Sequence, residues 1–198
     1  MPKHSRALTV RQLLGHTSGI PRMNTRGRGD DLALAVRDYL GAGPQAKPGA
    51  KFEYWNGGYA LLAGVIERAS ERGYTQYLEE ELFAPAGMSD TGFSGDTDLD
   101  ASRAALGSSL DGRARSALEH PYGDYGYQYR GMGGIVTTVL DLAKWDRALA
   151  KNAVLDAEHA QELFEPGPGG YALGWYVGRA FDGTPRQYQM PAGGRGYT

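Results

Sequence analysis

The chain has 198 residues, of which 21 are basic and 23 acidic, and its formal net charge is -2 at pH 7. This balance argues against a surface for nucleic acid or anionic membranes and favours a small-molecule partner. Cysteine is absent, which excludes disulfides, thiolate metal ligands and a cysteine nucleophile, and we expect neither a metal site nor a cofactor. The first twenty residues lack the apolar core of a signal peptide, and no window approaches the roughly 18 apolar residues of a membrane span. The compartment and the oligomeric state stay open.

Helical patterns occupy the first half of the chain. Thr9 and Gln12 match a capping box, which predicts that a brief helix begins at this point. Apolar residues recur at helical spacing over residues 31–40, 56–72 and 75–83, and we predict a helix in each range. These helices supply most of the predicted core.

Two polar residues after the first helix belong to types that often act in catalysis. Ser18 has no lysine three residues later and no nucleophile-elbow pattern around it, so we predict that it is a turn hydroxyl. His16 stands alone beside a helix end, where a histidine commonly bonds a carbonyl or fills space. We assign neither residue a catalytic role.

Residues 94–131 show little periodicity, and we predict a long irregular excursion with at most one turn of helix. Thr138 and Asp141 then match a capping-box variant, which predicts a helix that runs to about Ala150. Leu142 and Leu149 are expected on its inward face.

The last part of the chain changes from helical to strand periodicity. A short helix is predicted over residues 156–164, and two strands are predicted over 171–177 and 184–190. The Asp182-Gly183 dipeptide between the two strands is a strong hairpin signal. The chain therefore combines a helical region with an antiparallel hairpin.

Tyr54 and Asn56 stand two residues apart, just before the helix predicted at 56–72. The Pro48-Gly49 turn signal precedes them, and we predict that Asn56 is the N-cap of that helix. In an extended segment residues at i and i+2 point to the same side, so the phenol and the amide would face one cavity. This arrangement suits a hydrolase that moves a proton and holds a substrate amide or ester, although core packing and helix capping would also explain the two residues.

Five blocks of sequence resemble the serine β-lactamase and penicillin-binding-protein superfamily, in the branch of class C β-lactamases, D-alanyl-D-alanine carboxypeptidases and related esterases. They occur in one order along the chain, at residues 8–21, 54–56, 80–93, 133–143 and 171–175. The resemblance implies an α+β fold of the β-lactamase/transpeptidase type. Residues 1–165 would be the helical region, and residues 166–198 would begin the C-terminal antiparallel sheet, with the fold incomplete at both ends.

The resemblance also implies roles for the Tyr-x-Asn motif. In such enzymes the Ser and Lys of Ser-x-x-Lys open a buried helix, and the motif tyrosine shares the removal of the serine proton before an acyl-enzyme forms. Tyr54 would be this catalytic residue, and Asn56 would bind the substrate amide and the lysine. No serine of the chain has a lysine three positions later. We therefore expect Ser-x-x-Lys upstream of Met1, within about 60 further residues, and we expect the 198-residue chain itself to be inactive.

The third motif of that family aligns with residues 190–197. Gly193 and Gly194 fit a backbone that approaches the substrate closely and helps to stabilise an oxyanion. Met190 or Pro191 stands where a Lys or His is expected, and Arg195 could supply the cation instead, although it could equally be an exposed loop residue. Trp55 also replaces a usually small residue, so we expect it to narrow the pocket.

The favoured hypothesis is a serine hydrolase that acts on an ester, a β-lactam or a D-Ala-D-Ala peptide. The alternative is a non-catalytic ligand-binding protein of the same fold. The reading frame upstream of Met1 distinguishes the two. Members of the family are often periplasmic, secreted or attached to the cell envelope. Because sheet partners would be missing, we expect the isolated chain to be poorly soluble or partly unfolded.

Overall fold

The computed structural model describes residues 7–21, 31–41, 43–95, 98–108, 112–119, 130–179 and 183–188. The helices in these ranges are α1 (Val10–Leu14), α2 (Leu32–Leu40), α3 (Asn56–Ser70), α4 (Tyr74–Leu78), α5 (Ala84–Ala86), α6 (Val139–Ala150) and α7 (Ala157–Leu163). The strands are β1 (Gly92–Phe93), β2 (Leu106–Ser108), β3 (Ala114–Ser116), β4 (Ile135–Val136), β5 (Tyr176–Arg179) and β6 (Pro185–Tyr188). Helices and small antiparallel sheets coexist, which confirms the α+β class. The division at residue 165 stays a prediction.

Side-chain caps define the starts of four helices. Thr9 and Gln12 form both bonds of the predicted capping box at α1. Asp31 accepts the Leu34 N–H at the start of α2, and Thr138 accepts the Asp141 N–H at the start of α6. Asp156 caps α7 in the same way. These caps place the predicted helices within a few residues of their observed positions.

Helix α3 is central to the hydrophobic core, because residues on it contribute to two clusters of buried side chains. The first cluster joins α3 to α1 and α2 and contains Leu13, Ile20, Ala35, Tyr39, Leu40, Trp55, Ala60, Leu61 and Leu62. The second cluster joins α3 to the segment that follows it and contains Ala63, Tyr74, Leu78, Phe83, Met88 and Phe93. The loop that precedes α3 is therefore anchored on one side by the first cluster.

The helix predicted over residues 75–83 is longer than expected and is not uniform. A π-helical turn at Glu79–Phe83 connects α4 to α5 without a break. Pro85 lies inside this continuous helical run and does not end it. Gly87 ends it in the left-handed conformation, with φ of 73°.

Three antiparallel strand pairs lie within the described residues. β5 pairs with β6 from Tyr176 opposite Tyr188 to Arg179 opposite Pro185, which confirms the predicted hairpin, although both strands are shorter than predicted. β1 pairs with β4, and β2 pairs with β3. The β2–β3 pair corrects the prediction that residues 94–131 are irregular apart from one helical turn. Strands of three residues are too short to show an alternating apolar pattern, so no periodicity could predict them.

The side chains of α6 differ from the prediction at two positions. Asp141 is fully buried and its carboxylate bonds to the N–H of Asp90 and the hydroxyl of Thr91, instead of returning to Thr138 as a capping-box acid would. Leu142 is about half exposed, whereas Leu149 is buried as expected. In the described ranges, no helix combines the length and the apolar character that crossing a bilayer requires.

Candidate active site

The segment that leads into α3 is held by the turn that follows α1. The N–H of Gly49 donates to the carbonyl of Thr17 at 2.7 Å, and the N–H of Glu53 donates to the carbonyl of His16 at 2.8 Å. The N–H of Trp55 donates to the ring Nδ1 of His16 at 3.1 Å. These backbone contacts run beside Tyr54, so the position of its phenol depends on the α1 turn.

Tyr54 lies half-buried at the edge of a group of aromatic rings around His16. Its ring centroid is 4.2 Å from that of His16 and 6.1 Å from that of Tyr171. The His16 ring also lies 5.0 Å from the ring of Tyr59 and 4.8 Å from that of Tyr171. We call His16, Tyr54, Tyr59 and Tyr171 the His16 cluster.

Trp55 points away from the His16 cluster and into the core. Its backbone is extended, with φ of -143° and ψ of 109°, so its side chain lies on the side opposite to Tyr54. The indole is buried in the first core cluster, with its ring centroid 5.8 Å from that of Tyr39. A Cβ at Gly57 would lie 2.5 Å from the indole, so glycine is required there. The expectation that Trp55 narrows a pocket is therefore wrong.

Asn56 is the first residue of α3 and is exposed. The N-cap position belongs to Trp55, whose side chain makes no capping bond, so the predicted capping role of Asn56 is wrong. The burial of the indole, and not a polar cap, sets the point where the helix begins. The side chain of Asn56 is thus not used for capping, and it is exposed two residues after Tyr54.

The electrostatics of the His16 cluster distinguish its members. Burial lowers the pKa of His16 to about 4, so the imidazole is neutral at pH 7. Burial raises the pKa of Tyr171 to about 12. Burial, and then the neighbouring phenols of Tyr171 and Tyr54, raise the pKa of Tyr59, whose hydroxyl donates to the carbonyl of Leu14 at 2.8 Å. Tyr59 and Tyr171 therefore stay protonated.

The first strand of the C-terminal hairpin lies against this site. The ring of Tyr176 on β5 is 4.8 Å from the ring of Tyr171 and 6.5 Å from that of Phe52, measured between centroids. Gly193, Gly194 and Arg195, the other predicted substrate-binding residues, lie outside the described residues. Their roles stay predictions.

The sequence pointed to Tyr54 and Asn56 as site residues. It indicated no role at the site for His16, Tyr59 or Tyr171, which form the His16 cluster with Tyr54 in the structure. Ser18 behaves as predicted, because its hydroxyl accepts the N–H of Ile20 in a turn. His16 was expected to bond a carbonyl or fill space. Its ring is buried among other rings, as expected, but it accepts a backbone N–H and does not bond a carbonyl. The sequence feature that could have drawn attention to His16 is its position within the family-like block at residues 8–21, which also contains Ser18. Within the described residues, no group of three His, Asp or Glu side chains could hold a metal ion.

The amino-acid sequence of this chain is similar to a protein-family model and to a bacterial protein. A family model described as Beta-lactamase matches residues 2–198. PbpX of Bacillus subtilis (strain 168) is 31% identical over 179 residues, which cover 88% of this chain and 44% of that protein. The chain thus spans less than half the length of this relative.

Two solved structures are also similar. The penicillin binding protein from Bacillus halodurans superimposes with a TM-score of 0.71 at 24% identity, over 90% of this chain and 58% of that one. The D-amino acid amidase from Ochrobactrum anthropi SV3, complexed with L-phenylalanine, gives a TM-score of 0.70 at 25% identity, over 91% of this chain and 55% of that one. The fold is therefore of the β-lactamase/transpeptidase type.

Proposed function

Because this chain belongs to the beta-lactamase family of serine hydrolases, we propose that it carries the Tyr-x-Asn part of an enzyme that cleaves an amide or ester through an acyl-enzyme. The observation that supports this proposal is the arrangement around Trp55. The indole is buried, while the half-buried phenol of Tyr54 and the exposed amide of Asn56 stand on either side of it. Core packing explains the buried indole of Trp55 but does not explain the exposed side chain of Asn56.

Tyr54 is the proton-transfer residue in this proposal. A serine hydroxyl is a weak nucleophile until a neighbouring group takes its proton. The serine oxygen attacks the substrate carbonyl carbon, and its proton passes through the Tyr54 hydroxyl to the neutral amine of the adjacent lysine. The bond between the carbonyl carbon and the leaving group then breaks, and the leaving amine or alcohol receives that proton back through the same pair. Water attacks the resulting acyl-enzyme and releases the acid. The nearby phenol of Tyr59 is not assigned this task, because its hydroxyl donates to the carbonyl of Leu14.

Asn56 binds the substrate in this scheme. Its amide can donate a hydrogen bond to a substrate carbonyl and accept one from a substrate N–H or from the lysine. An amide substrate offers both groups, whereas an ester offers only the acceptor. We therefore infer that Asn56 contributes more to amide than to ester cleavage. The solved relative named as a D-amino acid amidase is consistent with an amide substrate.

The serine and lysine would come from the part of the protein that this chain does not include. A fluorophosphonate probe, which labels activated serines covalently, tests this arrangement by intact mass. The full-length protein should gain one adduct on the serine of a Ser-x-x-Lys sequence, and the 198-residue chain should gain none. A full-length protein that binds a small-molecule substrate without being labelled would support a non-catalytic binding protein instead. Labelling of a serine within the 198 residues would show a different catalytic layout.

A further inference from the structure

His16 contacts the Tyr54 segment through three separate groups. Its carbonyl accepts the N–H of Glu53 at 2.8 Å, and its ring Nδ1 accepts the N–H of Trp55 at 3.1 Å. Its ring lies 4.2 Å from that of Tyr54, measured between centroids. The two hydrogen bonds hold the residues immediately before and after Tyr54, and the ring contact limits the phenol from one side.

The backbone of His16 occupies a conformation that a histidine adopts at a cost. Its φ is 53°, in the left-handed region, where non-glycine residues are uncommon and Asn is the best tolerated alternative. The residue is only 3% exposed, so its ring could not leave the cluster without opening the core. Strain of this kind persists where the surrounding structure requires it, and it is often found at functional sites.

The hydrogen-bond pattern also defines the tautomer of His16. A backbone N–H can only donate, so Nδ1 must carry no proton and Nε2 must carry it. Nε2 is buried and has no hydrogen-bond partner within the described part of the chain. Protonation of Nδ1 would break the bond to Trp55. A proton shuttle must exchange protons at accessible nitrogens, so this geometry does not suit that role.

We propose that His16 is a positioning residue for Tyr54. As a neutral imidazole protonated at Nε2, it holds the peptide groups on both sides of Tyr54 and so fixes the direction of the phenol toward the reacting serine. This inference rests on the proposed role of Tyr54. A general base that is displaced by about 1 Å can lose roughly 10²-fold in rate, so a positioning residue has a large effect without touching substrate.

Two substitutions separate positioning from packing. His16→Asn keeps an acceptor near the position of Nδ1 and suits the left-handed backbone, but it removes the ring. His16→Phe keeps an aromatic ring but leaves the buried N–H of Trp55 without an acceptor. In the full-length protein we expect His16→Phe to lower kcat on a chromogenic ester at least 10-fold with KM within threefold, and His16→Asn to keep kcat within about threefold of the wild type. Rates are divided by the folded fraction, measured by near-UV circular dichroism.

The opposite order of the two variants would overturn the proposal, because it would mean that the ring and not the acceptor matters. Equal kcat values per folded molecule would also overturn it, since His16 would then serve stability alone. A wild-type protein that shows no turnover, or a Tyr54→Phe variant with unchanged turnover, would instead contradict the proposed function. In either of these cases, the hydrogen bond between His16 and the Tyr54 segment can still be tested by a measurement that does not depend on turnover.

That measurement uses nuclear magnetic resonance of the wild-type full-length protein labelled with ¹⁵N at His and Trp. The structure predicts a scalar coupling across the hydrogen bond between the Trp55 amide nitrogen and Nδ1 of His16, and a ring proton on Nε2. It also predicts slow hydrogen exchange at the Trp55 amide, which His16→Phe should accelerate and His16→Asn should not. A ring proton on Nδ1 would overturn the proposal even if both variants failed to fold.

Discussion

Thr91 donates its hydroxyl proton to the carboxylate of Asp141 at 2.8 Å, across 50 positions of sequence. The same carboxylate accepts the N–H of Asp90 at 2.7 Å and the ammonium of Lys144 at 2.6 Å. Burial alone would raise the pKa of Asp141, but the hydrogen bonds from Lys144, Thr91 and the Asp90 amide hold it below its ordinary value. The bonds fix the start of α6 to the turn before β1, and so hold the β1–β4 pair together.

Replacing Asp141 with alanine should therefore destabilise the protein. The change removes the acceptor of the part-buried Asp90 N–H and leaves the buried Thr91 hydroxyl with only the hydroxyl of Thr137 as a partner. We expect a loss of about 3 kcal/mol in the free energy of unfolding. Urea denaturation followed by circular dichroism measures it. Asp146→Ala on the same helix is the matched control, because that residue is exposed, and it should change the free energy by less than about 0.5 kcal/mol. Equal effects of the two substitutions would contradict this role of Asp141.

Tyr54→Phe should lower turnover of a chromogenic ester by the full-length protein about 10²-fold or more, because a positioned general base typically contributes that much. The fold should be unchanged, since the ring remains. Tyr59→Phe is the control. It removes the hydrogen bond to Leu14 and should reduce stability while turnover per folded molecule stays close to the wild type. Near-wild-type turnover in Tyr54→Phe would identify Tyr54 as a packing residue.

Asn56→Ala should affect amide substrates more than esters. The side chain is exposed and does not cap α3, so we expect the midpoint of thermal unfolding to change little. Steady-state kinetics on a matched pair of substrates, one amide and one ester of the same acid, measures the ratio of kcat/KM. Equal losses on the two substrates would argue against a hydrogen bond between Asn56 and the substrate amide.

Stability should decrease as the pH falls from about 6.5 to about 4, because of His16. Its pKa is about 4 in the folded protein and 6.5 in the unfolded chain, so in this window the unfolded state binds more protons. Above pH 6.5 the imidazole is neutral in both states and does not change the free energy of unfolding. Below pH 4 the loss in the free energy of unfolding levels off at about 3 kcal/mol. The groups packed against the ring are the phenols of Tyr54, Tyr59 and Tyr171 and the ring of Phe52. Burial raises the pKa of Tyr59 and of Tyr171, so these two phenols stay protonated in this range, and Phe52 does not titrate.

Carboxylates also titrate in that window, so the pH effect of His16 is the difference between two proteins. Urea denaturation of the wild type and of His16→Asn at several pH values measures it. The slope of the unfolding free energy with pH should be smaller in His16→Asn by up to one proton near pH 5. Parallel curves for the two proteins would show that the pKa of His16 is the same in the folded and unfolded states, and would contradict this prediction.

The isolated 198-residue chain should be prone to association. Val139 and Leu140 on α6 are 81% and 75% exposed, and Ile135 on β4 and Leu142 on α6 are about half exposed. Apolar side chains grouped in this way usually contact other protein. Light scattering and the fluorescence of a hydrophobic dye should report an exposed apolar surface, and Leu140→Lys should reduce both signals. A monomer with a sharp cooperative thermal transition would contradict this prediction.

The sequence by itself determined the elements whose signals are local. A cap and its partner three residues later predicted the starts of α1 and α6, and apolar spacing predicted α2 and α3. The Asp-Gly dipeptide predicted the β5–β6 hairpin. Tyr54 and Asn56 were also identified from the sequence, because the Tyr-x-Asn motif is contained in three consecutive residues.

Only the tertiary structure decided the contacts between distant segments. The hydrogen bond from Trp55 to His16 spans 39 positions of sequence, and the hydrogen bond from Thr91 to Asp141 spans 50. No local sequence pattern could therefore predict either bond. The direction in which the Trp55 side chain points could not be predicted either, because it depends on the space beside Tyr39 and Gly57 that the indole occupies. Local propensity acts within about one helical turn, whereas burial and hydrogen bonding of these side chains depend on which segments meet. The partners of Tyr54 could therefore be assigned only after the chain had folded.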